Sequence, residues 1–365
     1  MNKVLVIGAA RSGIEVSKLL NLKGYEVYLT DMKKIENKDE LNKLGIKVYD
    51  EGHPEELKNI DYELIVKNPG IPYRAPFVKY FVDKGKEIVN EIEVANMFCS
   101  FSYGAITGTN GKTTTTTLLG ELLKLKYGQR AHTAGNIGTP LAGIVAREGD
   151  ESDYIALEIS AFQLNGCPTF KPHVSCIMNL TPDHLDYYYR AKCLVYKNQD
   201  ENDYFIRNLD DEEIRRRCTD VKCNVIDMSL KEKKDLYVED DRVFYKNICL
   251  FDKNSLHLVG DHNLTNAMVA ACMAYLLGVE PELINKGIDE FRGVEHRIEF
   301  VRELNGVKYY NDSKGTNVDA GVVALKSFEK PVILLCGGHD KHTGFKEIVP
   351  YLNKVKMMFA FGETR

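Results

Sequence analysis

The stretch ITGTNGKTTTTT, Ile106 to Thr117, decides how the rest of the chain is read. The apolar run Tyr103 to Ile106 enters it as a buried strand, and Leu118, Leu122 and Leu125 leave it at helical spacing, with Gly128 placed to end the helix. Strand, glycine loop and helix are the context of a phosphate loop. Gly108 and Gly111 let the backbone turn its N–H groups toward an anion, and the helix adds its positive end. Lys112 can then reach the outer phosphates, and Thr113 can offer a hydroxyl to Mg2+. The usual pattern has a glycine where Ile106 stands, so this loop is a shortened variant. A Thr-rich turn capping an ordinary helix is the alternative, but it leaves the register of glycine, lysine and hydroxyl after a strand unexplained.

Composition bounds the rest. A chain of 365 residues exceeds one typical domain, so two or three are expected. With 44% hydrophobic and 28% charged residues it reads as a soluble globular protein. A net charge of −5 and the lack of a long basic block argue against nucleic acid; Arg215 to Arg217 beside Asp210 to Glu213 is a solvated helix face. The opening MNKVLVIG runs straight into a strand with no cleavable signal, and no apolar run reaches membrane-spanning length. Nine cysteines without CxxC or Cys/His ligand spacing read as reduced, structural thiols of a cytoplasmic protein.

Toward the N-terminus, a strand at Val4 to Gly8, a helix at Ser12 to Leu22 and a strand at Tyr25 to Asp31 make a βαβ opening. Its glycine fingerprint reads Gly8, Ala10, Gly13, so the residue that lets a pyrophosphate approach is alanine; a nucleotide-diphosphate use or a structural use of the turn is preferred over an NAD site. Asp31 can bond a ribose hydroxyl or simply close a turn. Asn68 to Pro72, NPGIP, is a stiff turn after a strand at Leu64 to Val66, and the first domain is expected to end near Phe98.

Toward the C-terminus, AGNIGTP (Ala134 to Pro140) flanks Asn136 with glycines, either a ligand-facing loop or a turn. The strand Tyr154 to Ile159 ends on Glu158, where a nucleotide's Mg2+ finds its carboxylate, unless it is a paired core glutamate. The strand Val174 to Leu180 empties into TPDHLD, whose Asp183, His184 and Asp186 either serve a second metal or cap a helix, and Lys192 follows on a helix. Between Asn202 and Leu258 short strands alternate with charged turns and carry no chemistry. Asn263 and Asn266, three apart at the start of an apolar helix, can pair with an adenine edge. FRGVEHRIEF carries His296 and Arg297 into a strand, and two later turns, NDSKGTN and CGGHDKH, expose Asp312, Lys314, Thr316, Asp340 and Lys341. The last part is expected to hold two or three strands and at most two helices, too little for an independent core.

In this order, GTNGKTT, GNIG, LEIS with FQL, NLTPDHLD, GDHNLTNA, FRGVEHRIE, DSKGTN and GGHDK resemble the Mur ligase family from the first strand to the last residue. DSKGTN places the chain closest to the branch that adds D-glutamate. The resemblance implies a three-domain α/β architecture: an N-terminal Rossmann-like domain (1–98) for UDP, a central P-loop ATPase with a parallel sheet (99–298) and an incomplete C-terminal Rossmann-like domain (299–365) for the amino acid. It implies an ADP-forming ligase acting in peptidoglycan precursor synthesis, with ATP and Mg2+. UDP-N-acetylmuramoyl-L-alanine and D-glutamate are the implied substrates, taken by a cytoplasmic monomer with no nucleic-acid or membrane partner.

Carried over by position, Gly108, Thr109, Asn110, Gly111, Lys112, Thr113 and Thr114 would cradle ATP, with Asn263 and Asn266 near adenine and Arg297 and Asp312 toward ribose and phosphates. Thr113, Glu158, His184 and Lys192 would serve the metals, Lys192 as a carbamate; Lys112, Glu158, His184 and Lys192 form the implied catalytic set. Ala10, Arg11, Ser12, Asp31, Gly70 and Asn136 would meet the UDP-sugar, and Lys314, Thr316 and Lys341 the glutamate. Two departures stand out: the segment from His184 to Lys192 is shorter than in the family, and the chain is expected to be cut short after GET. The competing readings are a nucleotide- and UDP-sugar-binding fragment without activity, and a sibling or folylpolyglutamate-type ligase.

Overall fold

The computed structural model describes residues 2–148, 153–180, 186–339 and 344–363. Short apolar runs bounded by turns form its strands, and most of those in the two large sheets return through a helix and so pair in parallel. The first sheet takes β1 (Lys3–Ile7), β2 (Glu26–Thr30), β3 (Lys47–Tyr49), β4 (Leu64–Lys67) and β5 (Ile88–Val89) in the order β3-β2-β1-β4-β5, every pair parallel. Its helices are α1 (Arg11–Leu22), α2 (Lys38–Lys43), α3 (Pro76–Asp83) and α4 (Glu91–Asn96).

The second sheet has nine strands. They are β6 (Ser102–Thr107), β7 (Ala131–Gly135), β8 (Tyr154–Glu158), β9 (Val174–Ile177), β10 (Tyr204–Asn208), β11 (Asn224–Met228), β12 (Leu236–Glu239), β13 (Arg242–Tyr245) and β14 (Ile248–Asp252). The order β14-β13-β12-β11-β10-β9-β6-β8-β7 puts β6, which feeds the phosphate loop, between β9 and β8. Only the β12–β13–β14 meander is antiparallel. The helices of this part are α5 (Lys112–Tyr127), α6 (Leu141–Glu148), α7 (Ala161–Leu164), α8 (Asp186–Cys193), α9 (Glu212–Arg217), α10 (Asp261–Leu276) and α11 (Pro281–Glu290). The apolar face of α10 packs on α5 and shares one core with β6, β9 and α11 through Leu119, Leu122, Met268, Met273 and Ile284, all unexposed.

Helix α4 joins the two sheets by polar capping as well as packing. Glu91 is buried and accepts the N–H of Ala142 at 2.5 Å, in the first turn of α6. Glu93, also buried, accepts the N–H groups of Thr169 and Phe170, each at 3.0 Å. Residues of β1, α1, α4, α6 and β8 belong to one apolar cluster, so the two sheets share packed surface.

Two expectations are corrected here. The run Phe291 to Phe300 is not a strand throughout: the strand begins only at Glu299, because Gly293, His296 and Ile298 all take positive φ and turn the chain. The last part also holds four strands among the described residues rather than two or three. β15 (Glu299–Leu304) and β16 (Val307–Asn311) form a hairpin, while β17 (Val332–Gly338) and β18 (Val355–Gly362) pair in parallel, with α12 (Val318–Lys326) between the two pairs. Here the core is thin. Among the described residues after Phe291 only Leu325 and Ser327 are buried, and Phe300, Leu335, Phe359 and Phe361 are each more than half exposed. No helix among the described residues is long and apolar enough to cross a membrane.

Candidate functional site

The site is built on the carboxyl ends of β6, β8 and β9, which lie side by side at one edge of the sheet. After β6 the chain turns through Gly108 (φ +142°) and Gly111 (φ +85°) into α5. A Cβ on Gly111 would stand 2.5 Å from Asn266 Oδ1, so only glycine fits between the loop and α10. No side chain caps α5, and its first-turn N–H groups open onto the loop, which suits a phosphate.

Lys112 folds over the same loop, its ammonium donating to the carbonyls of Gly108 and Thr109, both at 2.9 Å. Burial lowers its pKa, Glu158 opposes that shift and Arg297 adds to it. The loop is held from below by a residue the sequence reading passed over. Asn179, just beyond β9, accepts the Asn110 N–H at 2.8 Å on Oδ1, returns Nδ2 to the Asn110 carbonyl at 3.0 Å, and accepts the Thr109 N–H on its backbone oxygen at 3.0 Å. It is the first residue of NLTPDHLD, an amide ahead of that stretch's acids and imidazole.

Glu158 ends β8 and is 2% exposed. Its Oε1 accepts Asn136 Nδ2 at 2.8 Å, and the Asn136 N–H is tied to the Glu158 carbonyl at 2.9 Å. Its Oε2 is buried with no hydrogen-bond partner. An orphaned carboxylate oxygen beside a phosphate loop is what a divalent cation would satisfy, so this donor set fits Mg2+.

Lys192, 4% exposed on α8, donates to Thr109 Oγ1 at 2.9 Å. Burial, then the charge of Lys112, pulls its pKa down to about 8. On the other flank, Asn266 Nδ2 donates to Asn263 Oδ1 at 3.2 Å and Asn263 Nδ2 to the Val259 carbonyl at 2.8 Å. Arg297 reaches Thr113 Oγ1 at 3.4 Å, and Asp312 accepts the Ile298 N–H at 3.1 Å. Burial raises the Asp312 pKa, against the Ile298 N–H and the Arg297 charge. Thus Thr109, Asn110, Gly111, Lys112, Thr113, Asn136, Glu158, Lys192, Asn266 and Arg297 come together around one loop. Lys314 and Thr316 are exposed on the turn after β16, where the Lys314 N–H bonds the His296 carbonyl at 3.0 Å. His184 and Lys341 lie outside the described residues.

In the first sheet, Ala10, Arg11 and Ser12 sit at the start of α1. Asp31 also holds its own turn: Oδ2 accepts the Ala9 N–H at 2.6 Å and Oδ1 the Lys33 N–H at 2.8 Å. Asn68 links the turns, donating to Ser12 Oγ at 3.3 Å and accepting the Gly70 N–H at 3.0 Å. Arg11 lines a cleft of about 480 Å³ between α1 and α6, with Glu15, Thr139 and Arg147.

Residues 106–274 match the Mur ligase middle domain. The UDP-N-acetylmuramoylalanine–D-glutamate ligase of Listeria monocytogenes is 39% identical over 99% of this chain and 82% of its own length. The ligase of the same name from Thermoanaerobacter sp. is 41% identical over 99% of this chain and 83% of its own. Among solved structures, the pseudomurein peptide ligase type C of Methanothermus fervidus superposes with a TM-score of 0.59 at 20% identity, covering 99% of this chain and 85% of that one. The UDP-N-acetylmuramate-alanine ligase of Thermotoga maritima gives 0.57 at 19% identity, covering 99% and 85%. At those identities the structural likeness is one of fold, and it is the curated relatives that decide the family. By its likeness to those relatives along nearly its whole length, the chain belongs to the Mur ligases, a family of ATP-dependent enzymes that form amide bonds.

Proposed function

We propose that this chain joins D-glutamate to UDP-N-acetylmuramoyl-L-alanine at the expense of ATP, using the phosphate-loop site of the second sheet. The observation that carries the reading is the buried, half-satisfied Glu158 carboxylate facing the Lys112 loop. In this reading residues 1–98 hold the UDP group, 99–298 the ATP and 299–365 the amino acid. The protein works as a cytoplasmic monomer on small molecules.

A carboxylate is a poor electrophile until one of its oxygens becomes a leaving group. Transfer of the terminal phosphoryl group of ATP to the substrate carboxylate supplies that group; the amine of D-glutamate then adds to the carbonyl carbon, and phosphate leaves as the amide forms. The chain's part is positioning and charge neutralisation. Lys112 swings from its loop carbonyls onto the outer phosphates, and the first-turn N–H groups of α5 bind the phosphate oxygens. Asn136 fixes the rotamer of Glu158, leaving Oε2 free for the metal. Thr113, Glu158, His184 and Lys192 would hold Mg2+, which offsets negative charge on the migrating group. The lowered pKa of Lys192 keeps a neutral amine accessible near pH 8, as carbamate formation with CO2 requires. Asn263 and Asn266 face the adenine, Arg297 and Asp312 the ribose and phosphates, Ala10, Arg11, Ser12, Asp31 and Gly70 the UDP group, Asn136 the muramoyl part, and Lys314, Thr316 and Lys341 the glutamate.

Phosphate release from ATP and Mg2+, measured with UDP-N-acetylmuramoyl-L-alanine in the presence and absence of D-glutamate, tests the reading. Release should require D-glutamate and vanish in Lys112→Ala. Release with another amino acid in its place would move the chain to a sibling activity, and ATP binding without release would leave it a nucleotide-binding protein.

A further inference from the structure

Lys67 is the last residue of β4 and pairs with Ile7 at the end of β1. In the order β3-β2-β1-β4-β5 the chain leaves β1 toward one edge and β4 toward the other. The crevice between these strand ends is therefore where the winding reverses, and open α/β sheets take their ligands at such a point. Lys67 is 4% exposed there. Its ammonium donates to the carbonyls of Ile71 at 2.7 Å and Asn68 at 3.0 Å, with that of Pro69 at 3.5 Å, and it lies 4.6 Å from the centroid of the Tyr73 ring.

The three N–H donors of this lysine are thus accounted for. Its charge is not. Lys67 makes no ion pair among the described residues, and burial alone pulls its pKa down to about 8. Asp31, at the end of β2, spends both oxygens on backbone N–H groups. Burying a cation without a countercharge is costly, and folds retain such groups where a ligand supplies the missing charge. Across the crevice α1 begins at Ala10 with no capping side chain and no acid in its first turn, and the Asp31 carboxylate accepts the Ala9 N–H just ahead of it at 2.6 Å. The two walls are close: a Cβ on Gly8 would stand 2.8 Å from Asn68 Cβ.

We propose that Lys67 provides the buried positive charge faced by the diphosphate of a nucleoside diphosphate in the β1/β4 crevice, and that it acts from beneath the turn at residues 68–71 as a positioning residue. The inference rests on reading the first sheet as the UDP-holding part. It adds that recognition there has a charged component seated in the core.

Isothermal titration of the full chain with UDP, uridine and ATP separates the possibilities. Lys67→Gln keeps donors for the turn carbonyls and removes the charge, Lys67→Met removes both, and Lys67→Arg keeps the charge. Both neutral variants should bind UDP about tenfold more weakly while uridine and ATP affinities hold, and Lys67→Arg should restore UDP binding. Retained ATP affinity also certifies folding; if Lys67→Met loses it, Lys67→Gln decides. The proposal is overturned if Lys67→Gln binds UDP like the parent, or if UDP and uridine weaken by the same factor, which would leave Lys67 a turn holder only. A parent chain that binds no UDP would overturn the assignment of the first sheet and the proposal together, an outcome distinct from an unimpaired variant.

Discussion

Replacing Glu91 by Gln should stabilise the chain at high pH and much less at low pH. Glu91 is fully buried in α4, and burial pushes its pKa from the ordinary 4.5 up to about 7, with the nearby Glu15 carboxylate adding to the rise and the N–H groups of Ala142 and Leu141 opposing it. An acid whose folded pKa is raised favours folding below the unfolded value, and that advantage is lost as pH climbs from about 4.5 to about 7, after which the loss is constant. The full loss is about 3 kcal/mol, since one pKa unit is about 1.4 kcal/mol. The amide of Gln can still accept the Ala142 N–H and never ionises. In urea unfolding the variant should therefore gain about 3 kcal/mol over the parent at pH 8.5 and about 1 kcal/mol or less at pH 5. An equal gap at both pH values, or a variant less stable at pH 8.5, would refute the argument that a buried ionising carboxylate joins the two sheets.

Three further outcomes follow from the phosphate-loop site. Gly111→Ala forces an L side chain into a left-handed conformation against Asn266, so it should cost about 2 kcal/mol in thermal or urea unfolding and weaken ATP binding in the same sample. Asn179→Ala removes both amide bonds to Asn110, and calorimetric ATP affinity should fall by about tenfold, with a stability loss of about 1–3 kcal/mol. Glu158→Gln removes the charge of the orphaned oxygen, and the dependence of ATP affinity on Mg2+ concentration should flatten while metal-free binding is kept or improved.

Most of the phosphate-loop geometry was legible because it is built from local sequence. Strand, glycines, lysine and hydroxyl at Ile106 to Thr113 each imply their own backbone geometry, and a strand-end acid such as Glu158 announces itself by an ionising group in an apolar run. What stayed hidden depends on partners distant in the chain. Asn179 is 69 residues from Asn110, and nothing local marks it as the loop's support. The bonds that Asp31 makes to the Ala9 and Lys33 N–H groups likewise depend on how β2 is seated beside the turn after β1. Lys67 ends an ordinary-looking strand, and its isolation from carboxylates is a property of the packed fold alone. The strand expected across His296 and Arg297 failed for a local reason, since positive φ at His296 and Ile298 is not a preference those residue types advertise.

The position of β6 between β9 and β8 also bears on how the chain is made. β6 is synthesised before both of its neighbours: β8 follows roughly 50 residues later and β9 roughly 70, so at about 5–20 residues per second the apolar strand waits several seconds beside the ribosome for its first partner. During that interval the first sheet, complete by Val89, and the newly made α5, β7 and α6 are what is available to shield it. A parallel sheet assembled this late in translation places the strand that feeds the glycine loop among the segments most dependent on chaperones in the cell.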